Sequence, residues 1–479
     1  MSAAIQATAG TRSALPATEV GLIRDGLTAF AARVATLRAA TTSADLQYYT
    51  WNGDLTGRLL AREVIHAADR GVAVRLLLDD MYAIGRERAL AAMDSHPRIQ
   101  VRLFNATAWR SFGPLGLVLE MLFGGWHLDH RMHNKAWIVD GACAIVGGRN
   151  IGDEYFDASG HFNFRDLDLA LRGAPVQAIQ RIFESYWSHQ LARPLRRISR
   201  AAYRRRALRK LARSLDAAWV APAARPFFDR LAAAPLMTRQ LSGGADGDLL
   251  ALPAAAARVV ADPPGKATGT ARPAECLARA IYDALNGAER EALIISPYFV
   301  PGAAGAAQIE AMARRGVRVS VVTNSLAATD VVAVHGGYAR YRERLLAAGV
   351  ALHELKPSGE EGHSVFGSRG ASLHTKAFAI DGRLAFVGSF NLDQRSVALN
   401  TEMGTFIEDA RVAALVGAEH ARLIGPGCSW RVRVEPAGGL SWHAEEGGAP
   451  VTVHHEPDTT LRMRILARML RWLPIESRL

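Results

Sequence analysis

The chain has 479 residues, 49% of them apolar and 22% charged, and a formal net charge of +11. Length and apolar content suit two large domains that each bury a core, and the positive charge asks for an anionic partner, nucleic acid or acidic lipid headgroups. Cys143, Cys276 and Cys428 show no C-x-x-C spacing, which argues against a disulfide framework or a zinc site.

The first residues, Met1-Ser2-Ala3-Ala4, lack the basic and apolar regions of a cleaved signal peptide. No window reaches the roughly 18 apolar residues of a spanning helix. Residues 1–18 read as a tail, and 19–220 as a first domain. Leu22, Ile23, Leu27, Phe30, Val34 and Leu37 recur at helical spacing and predict an amphipathic helix over 19–40. A strand at 45–51, a helix through Ala68 and a strand at 71–79 follow. Residues 112–126 are strongly apolar but too short to span; they either dip into lipid or close a pocket as a core helix.

Next stands His133-Asn134-Lys135, then an apolar run at 136–139, Asp140, six residues, Gly147-Gly148 and Asn150. Period-2 alternation puts His133 and Lys135 on one face. From 193 to 213 there are ten Arg or Lys and no acid, with Ile198, Tyr203, Leu208 and Leu211 interleaved: a basic amphipathic helix, either on an anionic membrane or solvated between domains. The Ala-, Gly- and Pro-rich residues 221–269 read as a connector wrapping the surface.

The second domain, 270–479, repeats the order: a strand at 292–298, a helix to Arg315 and a strand at 316–322. His374-Thr375-Lys376 then precedes an apolar run, Asp381, Gly388-Ser389 and Asn391. From Gly71 to His133 is 133 − 71 = 62 residues, and from Gly316 to His374 is 374 − 316 = 58, so the halves are repeats with small insertions. Residues 462–473 set Arg against apolar residues and Trp472, the composition of an interfacial helix.

Apolar strands alternating with helices place both halves in the α/β class, each a mixed sheet with helices on both faces. Facing H-x-K strands would share one pocket at the interface. Two imidazoles beside two ammonium groups suit a phosphodiester: Lys135 and Lys376 mask its charge, Asn150 and Asn391 add neutral donors, one histidine attacks phosphorus and the other moves the proton. Close coupling makes the two histidine pKa values properties of the pair. Asp168 and Glu402, inward on apolar strands, are candidates to orient the imidazoles or to form buried ion pairs. The motifs carry no metal cluster, and no cofactor is called for.

These residues resemble the phospholipase D superfamily, whose H-x-K-x-x-x-x-D motif occurs twice per catalytic unit, and within it the C-type branch of bacterial cardiolipin synthases. The similar stretches begin at Gln47, His133, Ile295, His374 and Trp472, and the resemblance spans nearly the whole chain. It implies two phospholipase D-like domains and metal-independent, ping-pong phosphatidyl transfer through phosphohistidine, with His133 attacking and His374 acting as acid and then base. Asp140 and Asp381 complete the motif-borne catalytic set.

By the same resemblance the substrates are phospholipids: phosphatidylglycerol as acceptor, and phosphatidylglycerol or phosphatidylethanolamine as donor. The enzyme would sit peripherally on the cytoplasmic face of a bacterial inner membrane, with an anionic membrane surface as partner and no nucleic acid. Gly148 stands where many members have Ser, although the C-type branch also has Gly-Gly-Arg-Asn. Gly148, Arg149, Ser389, Tyr48 and Tyr298 are candidate substrate contacts, Arg149 alternatively a surface ion pair with Asp153 or Glu154. Hydrolytic phospholipase D is the alternative, a nuclease is a weaker one, and a silent membrane scaffold is the outlier.

Overall fold

Residues 18–23 form a strand, β1 (Thr18–Ile23), where their spacing predicts helix; helix α1 (Gly26–Ala39) begins only after Asp25, whose carboxylate accepts the Thr28 amide at 2.7 Å. Pairing explains the difference, because β1 has a strand on either side. The computed structural model describes residues 17–107, 109, 113–122, 126–199, 201, 203–234, 249–357 and 371–471. Residues 1–16 of the predicted tail, parts of 112–126 and of the connector, and 472–479 lie outside them.

The first half continues with β2 (Ser43–Tyr48), α2 (Leu55–Asp69), β3 (Ala73–Asp79), α3 (Glu87–Met93), β4 (Ile99–Phe104) and α4 (Gly113–Leu122). The H-x-K strand is β5 (Ala136–Val139), followed by β6 (Cys143–Gly147), β7 (Asn163–Arg165), β8 (Asp168–Arg172), α5 (Ala174–Trp187), β9 (Ala192–Pro194), α6 (Leu195–Ile198), α7 (Arg205–Trp219) and α8 (Arg225–Ala233). Nine strands form one sheet in the order β10-β1-β8-β6-β5-β2-β3-β4-β9, where β10 is Leu250–Leu252.

The second half has β11 (Ala257–Ala261), β12 (Glu291–Ile295), β13 (Arg318–Asn324), β14 (Ala351–Leu355), β15 (Ala371–Leu373), the second H-x-K strand β16 (Ala377–Ile380), β17 (Leu384–Gly388), β18 (Met403–Glu408), β19 (Ser429–Val434), β20 (Leu440–Glu446) and β21 (Ala449–Val453). Its ten-stranded sheet runs β11-β18-β17-β16-β12-β13-β14-β19-β20-β21. The stretch read as a connector is more than a wrap, since β10 and β11 cover one edge of each sheet. The basic segment packs within the first half: Leu215 and Ala218 of α7 are buried and its arginines stay in water.

Three apolar clusters set the layers. One lies between the first sheet and α1, α2 and α3, and another backs the second sheet. The third joins the halves, packing Ala136, Ile138 and Val146 with α5 residues and with Ala377, Val387 and Met403. Beside it β7 pairs in parallel with β15 across the interface. This shared core, about as apolar as a domain interior, places the two H-x-K strands face to face.

The last residue of each motif is a turn residue. Asp140 and Gly141 have φ of 55° and 60°, Asp381 and Gly382 of 54° and 65°, the left-handed pair that an Asp-Gly hairpin turn supplies. Asp140 accepts the amides of Thr41, Thr42 and Ser43; Asp381 accepts those of Glu289, Arg290 and Glu291. Each carboxylate thus fastens its hairpin to the start of the neighbouring strand, and these amides hold Asp140 down at about 2 even though burial alone would raise it. At about 3.3 Å per residue both lie a strand's length from their histidines, so Asp140 and Asp381 leave the candidate catalytic set.

Asp381→Ala removes the acceptor of three charge-assisted hydrogen bonds and should cost about 2 kcal/mol, lowering Tm by about 2 °C for a chain that unfolds as one unit. Well below that Tm, kcat should stay within about tenfold, whereas loss of a histidine should remove about three orders of magnitude. Calorimetry and steady-state rates on the same preparation check both; an unchanged Tm with lost activity would return Asp381 to the site.

Candidate active site

His133 sits just before β5, where its backbone amide donates to the Thr401 carbonyl of the other half at 2.8 Å. Its Nδ1 lies 2.8 Å from Glu402 Oε2 and 3.2 Å from the Ser389 carbonyl oxygen. A carbonyl can only accept, so Nδ1 carries the hydrogen and Nε2 keeps a lone pair for chemistry. The Tyr49 ring meets the imidazole edge to face with centroids 5.1 Å apart.

His374 repeats the arrangement in mirror. Its amide donates to the Arg165 carbonyl at 2.8 Å, and its Nδ1 lies 2.6 Å from Asp166 Oδ2. Tyr155 and Phe164, both from the first half, pack on its ring at 5.2 and 4.9 Å. Each imidazole is therefore oriented by a carboxylate from the opposite half. Each lysine in turn donates to the carbonyl of the histidine two residues before it, Lys135 to His133 at 2.7 Å and Lys376 to His374.

Burial dominates the electrostatics. It pushes His133 down to about 4 against the pull of Glu402, with Lys135 and Lys376 lowering it further. Burial, Lys376, Lys135 and His133 hold His374 well below the ordinary imidazole range. Lys135 is also driven well down, and Lys376 falls to about 8, each chiefly by burial. Burial would raise Glu402, but His133, Lys135 and the Ser389 hydroxyl outweigh it and leave this carboxyl below the usual range. Asp166, with fewer donors, is left raised by burial despite Lys376 and Arg149. Burial thus biases both imidazoles toward the neutral form and leaves two lysines whose burial penalty a bound anion relieves.

Of the residues singled out in the sequence, the structure brings together His133, Lys135, His374, Lys376, Glu402 and Ser389. Asp168 is a correction: its carboxylate pairs with Arg33 at 2.9 Å and with Arg149 at 3.5 Å, all three buried, and Asp166 does the orienting. Counting back seven residues from the start of the next helix finds both orienters, 173 − 166 = 7 and 409 − 402 = 7, where Gly173 and Asp409 are the N-caps. Arg149 is neither a phosphate contact nor a surface pair. Its Nε, Nη1 and Nη2 donate to the carbonyls of Tyr155, Ile23 and Asp166, so it braces the segment that carries the orienter.

Tyr48 also moves off the site, because alternation turns it into the core where Arg33 donates to its hydroxyl at 3.1 Å; its neighbour Tyr49 faces His133. Tyr298 stays half-buried and donates to Asp330, whose charge reaches Lys376. Asn150 spends its amide on the Thr50 N–H and the Tyr155 hydroxyl, while the side-chain oxygen of Asn391 is buried without a partner among the described residues. Gly148 has a steric reason: a Cβ there would sit 2.3 Å from Asp166 Oδ1. The second half reaches its histidine with the longer Glu402 and has room for Ser389, whose hydroxyl donates to that glutamate. Among the described residues no group of three or more His, Cys, Asp or Glu is placed to hold a metal ion.

The model of the family described as cardiolipin synthase, PLD-like domain, matches the chain twice, over residues 34–187 and 281–424, one match per H-x-K strand. Cardiolipin synthase C of Escherichia coli (strain K12) is 38% identical over 460 residues, 95% of this chain and 94% of the relative. A cardiolipin synthase of Geobacillus kaustophilus (strain HTA426) is 26% identical over 82% of this chain and 63% of its own length. Among solved structures, phosphatidylserine synthase of Haemophilus influenzae Rd KW20 superimposes with a TM-score of 0.61 over 97% of both chains at 12% identity, a likeness of fold.

Two outcomes follow from this geometry. Gly148→Ser should displace Asp166 and lower kcat by at least about tenfold with little change in KM; unchanged kcat would mean that Asp166 does not position His374. With a soluble phosphodiester such as bis(p-nitrophenyl) phosphate, kcat/KM should fall as pH rises through about 8, where Lys376 gives up its proton and its charge. A profile flat to about pH 9.5 would contradict that role.

Proposed function

The chain belongs to the cardiolipin synthase family of PLD-like-domain proteins, and from that membership we propose that it moves a phosphatidyl group onto the glycerol hydroxyl of phosphatidylglycerol, making cardiolipin through a phosphohistidine. The observation that carries this reading is the pair of imidazoles, each with Nδ1 held by a buried carboxylate, beside two buried lysines.

In the first step the lone pair on His133 Nε2 attacks phosphorus and the bond to the donor's headgroup oxygen breaks. His374, protonated once the anionic phosphate offsets the lysines, gives its Nε2 proton to that oxygen. The headgroup alcohol departs and the acceptor enters. His374 then removes the proton of the glycerol hydroxyl as its oxygen attacks phosphorus, and the phosphorus–nitrogen bond breaks. Lys135 and Lys376 hold the equatorial oxygens, where charge is greatest in the transition state.

Two exposed apolar elements support work at a lipid surface. Helix α4, shortly before His133, exposes Leu115, Val118 and Leu122, the last at 72%. The helix Leu461–Arg471 packs on Val332–Ala339 and leaves Leu461, Ile465 and Met469 in solvent beside its arginines. No helix among the described residues is long and apolar enough to cross a membrane, so contact through such faces is the mode proposed.

Incubating the protein with phosphatidylglycerol vesicles, with and without phosphatidylethanolamine, and reading the products by mass spectrometry tests the reaction. Cardiolipin is expected, absent with His133→Ala; phosphatidic acid alone would make the activity hydrolytic. Replacing Leu461, Ile465 and Met469 together by Ser should weaken sedimentation with anionic vesicles about tenfold or more. Unchanged sedimentation would remove that helix from the membrane contact.

A further inference from the structure

On the helix side of the first sheet, α2, α3, β3 and the basic helix α7 enclose a cavity of about 370 Å³. Trp51, Leu76, Leu78, Leu90 and Met93 supply apolar wall. Helix α7 is its roof: Leu211 and Leu215 line it, while Arg205, Arg206, Arg209, Lys210 and Arg213 stay exposed. Arg58 of α2 holds the roof down by donating to the Ser214 carbonyl at 3.0 Å.

The cavity shares one ring with the catalytic centre. Tyr49 lines it and also packs on His133, with Tyr82 edge-on at 5.0 Å. Asp79 lines the same end and holds Nη1 of the wholly buried Arg131 at 3.2 Å. The Nε and Nη2 of Arg131 have no partner among the described residues. A buried guanidinium with two open donors calls for an acceptor.

We infer that this cavity receives one acyl chain of the glycerophospholipid whose phosphate lies between the histidines, an inference that rests on the phosphatidyl-transfer reading above. Tyr49, shared between the cavity wall and His133, sets the occupant: an apolar chain tethered to a phosphate. Arg131, held by the wall residue Asp79, has two open donors that suit ester and phosphate oxygens. Each methylene moved from water onto such walls favours binding about fourfold, so the cavity makes chain length a determinant of substrate choice. It also gives the basic segment a role within the molecule, since α7 is the part that keeps this chain dry.

The test uses the full chain and phosphatidylglycerol vesicles doped with phosphatidylglycerol carrying a photoactivatable diazirine on one acyl chain. After irradiation, label is expected on the peptides that contain Leu90 and Met93 and on those that contain Leu211 and Leu215. Leu211→Trp, which pushes a larger side chain into the cavity, should reduce that label about tenfold and cut kcat/KM for long-chain phosphatidylglycerol about tenfold more than for a short-chain phosphatidylglycerol. Label confined to α4 or to Leu461–Arg471, or equal losses for both chain lengths, would overturn the inference. Label in the cavity without any phosphatidyl product would sink the transfer reading and leave the lipid site standing, whereas turnover without label there removes the cavity alone.

Discussion

Each imidazole at the centre of this molecule takes its orientation from a carboxylate in the other half: His133 from Glu402, His374 from Asp166. Neither half alone has a correctly held histidine. The fold is arranged to keep this crossed pair in register. The amide of each histidine is bonded to the strand that brings its orienter, at Thr401 and at Arg165, and the shared apolar core fixes the distance between the sheets. Separating the halves would expose the shared apolar core to water and undo both imidazole–carboxylate pairs, so docking of the halves and assembly of the site are one event.

The duplication is not exact, and the differences bear on chemistry. A shorter orienter, Asp166, needs the bare backbone of Gly148 to come close; a longer one, Glu402, leaves room for Ser389 and takes two further hydroxyl donors, from Ser389 and Ser396. Glu402 is therefore held as an anion more firmly than Asp166. Two histidines with unlike supports are what a reaction needs when one must stay neutral and attack while the other carries a proton. The cavity under α7 adds to the asymmetry, since its wall residue Tyr49 packs on His133.

Much of this was legible before any coordinates. The repeat, the H-x-K strands and the α/β order follow from spacing and alternation, and the family model divides the chain along the same repeat. What escaped depends on register. Asp168 and Asp166 lie two residues apart on one face, and the pairing of Gly147 with Asp168, matched by Gly388 with Gly404, shows that the orienter is two residues earlier. Tyr48 and Tyr49 differ by one residue and so by a face of the sheet. Asp140 and Asp381 belong to the family motif, but their Asp-Gly context already marked a hairpin turn. Arg149 looked exposed because a sequence does not tell which arginine will be buried against backbone carbonyls.

The most direct test of the crossed arrangement is a burst measurement with phosphatidyl-p-nitrophenol, whose leaving group departs without needing a proton. In the proposed mechanism, attack by His133 then depends on Glu402, from the opposite half, and not on Asp166. The account predicts that Glu402→Gln loses the rapid nitrophenol burst while Asp166→Asn keeps it and is slow only in later turnover. A burst abolished by Asp166→Asn and preserved by Glu402→Gln would contradict attack by a His133 held by Glu402.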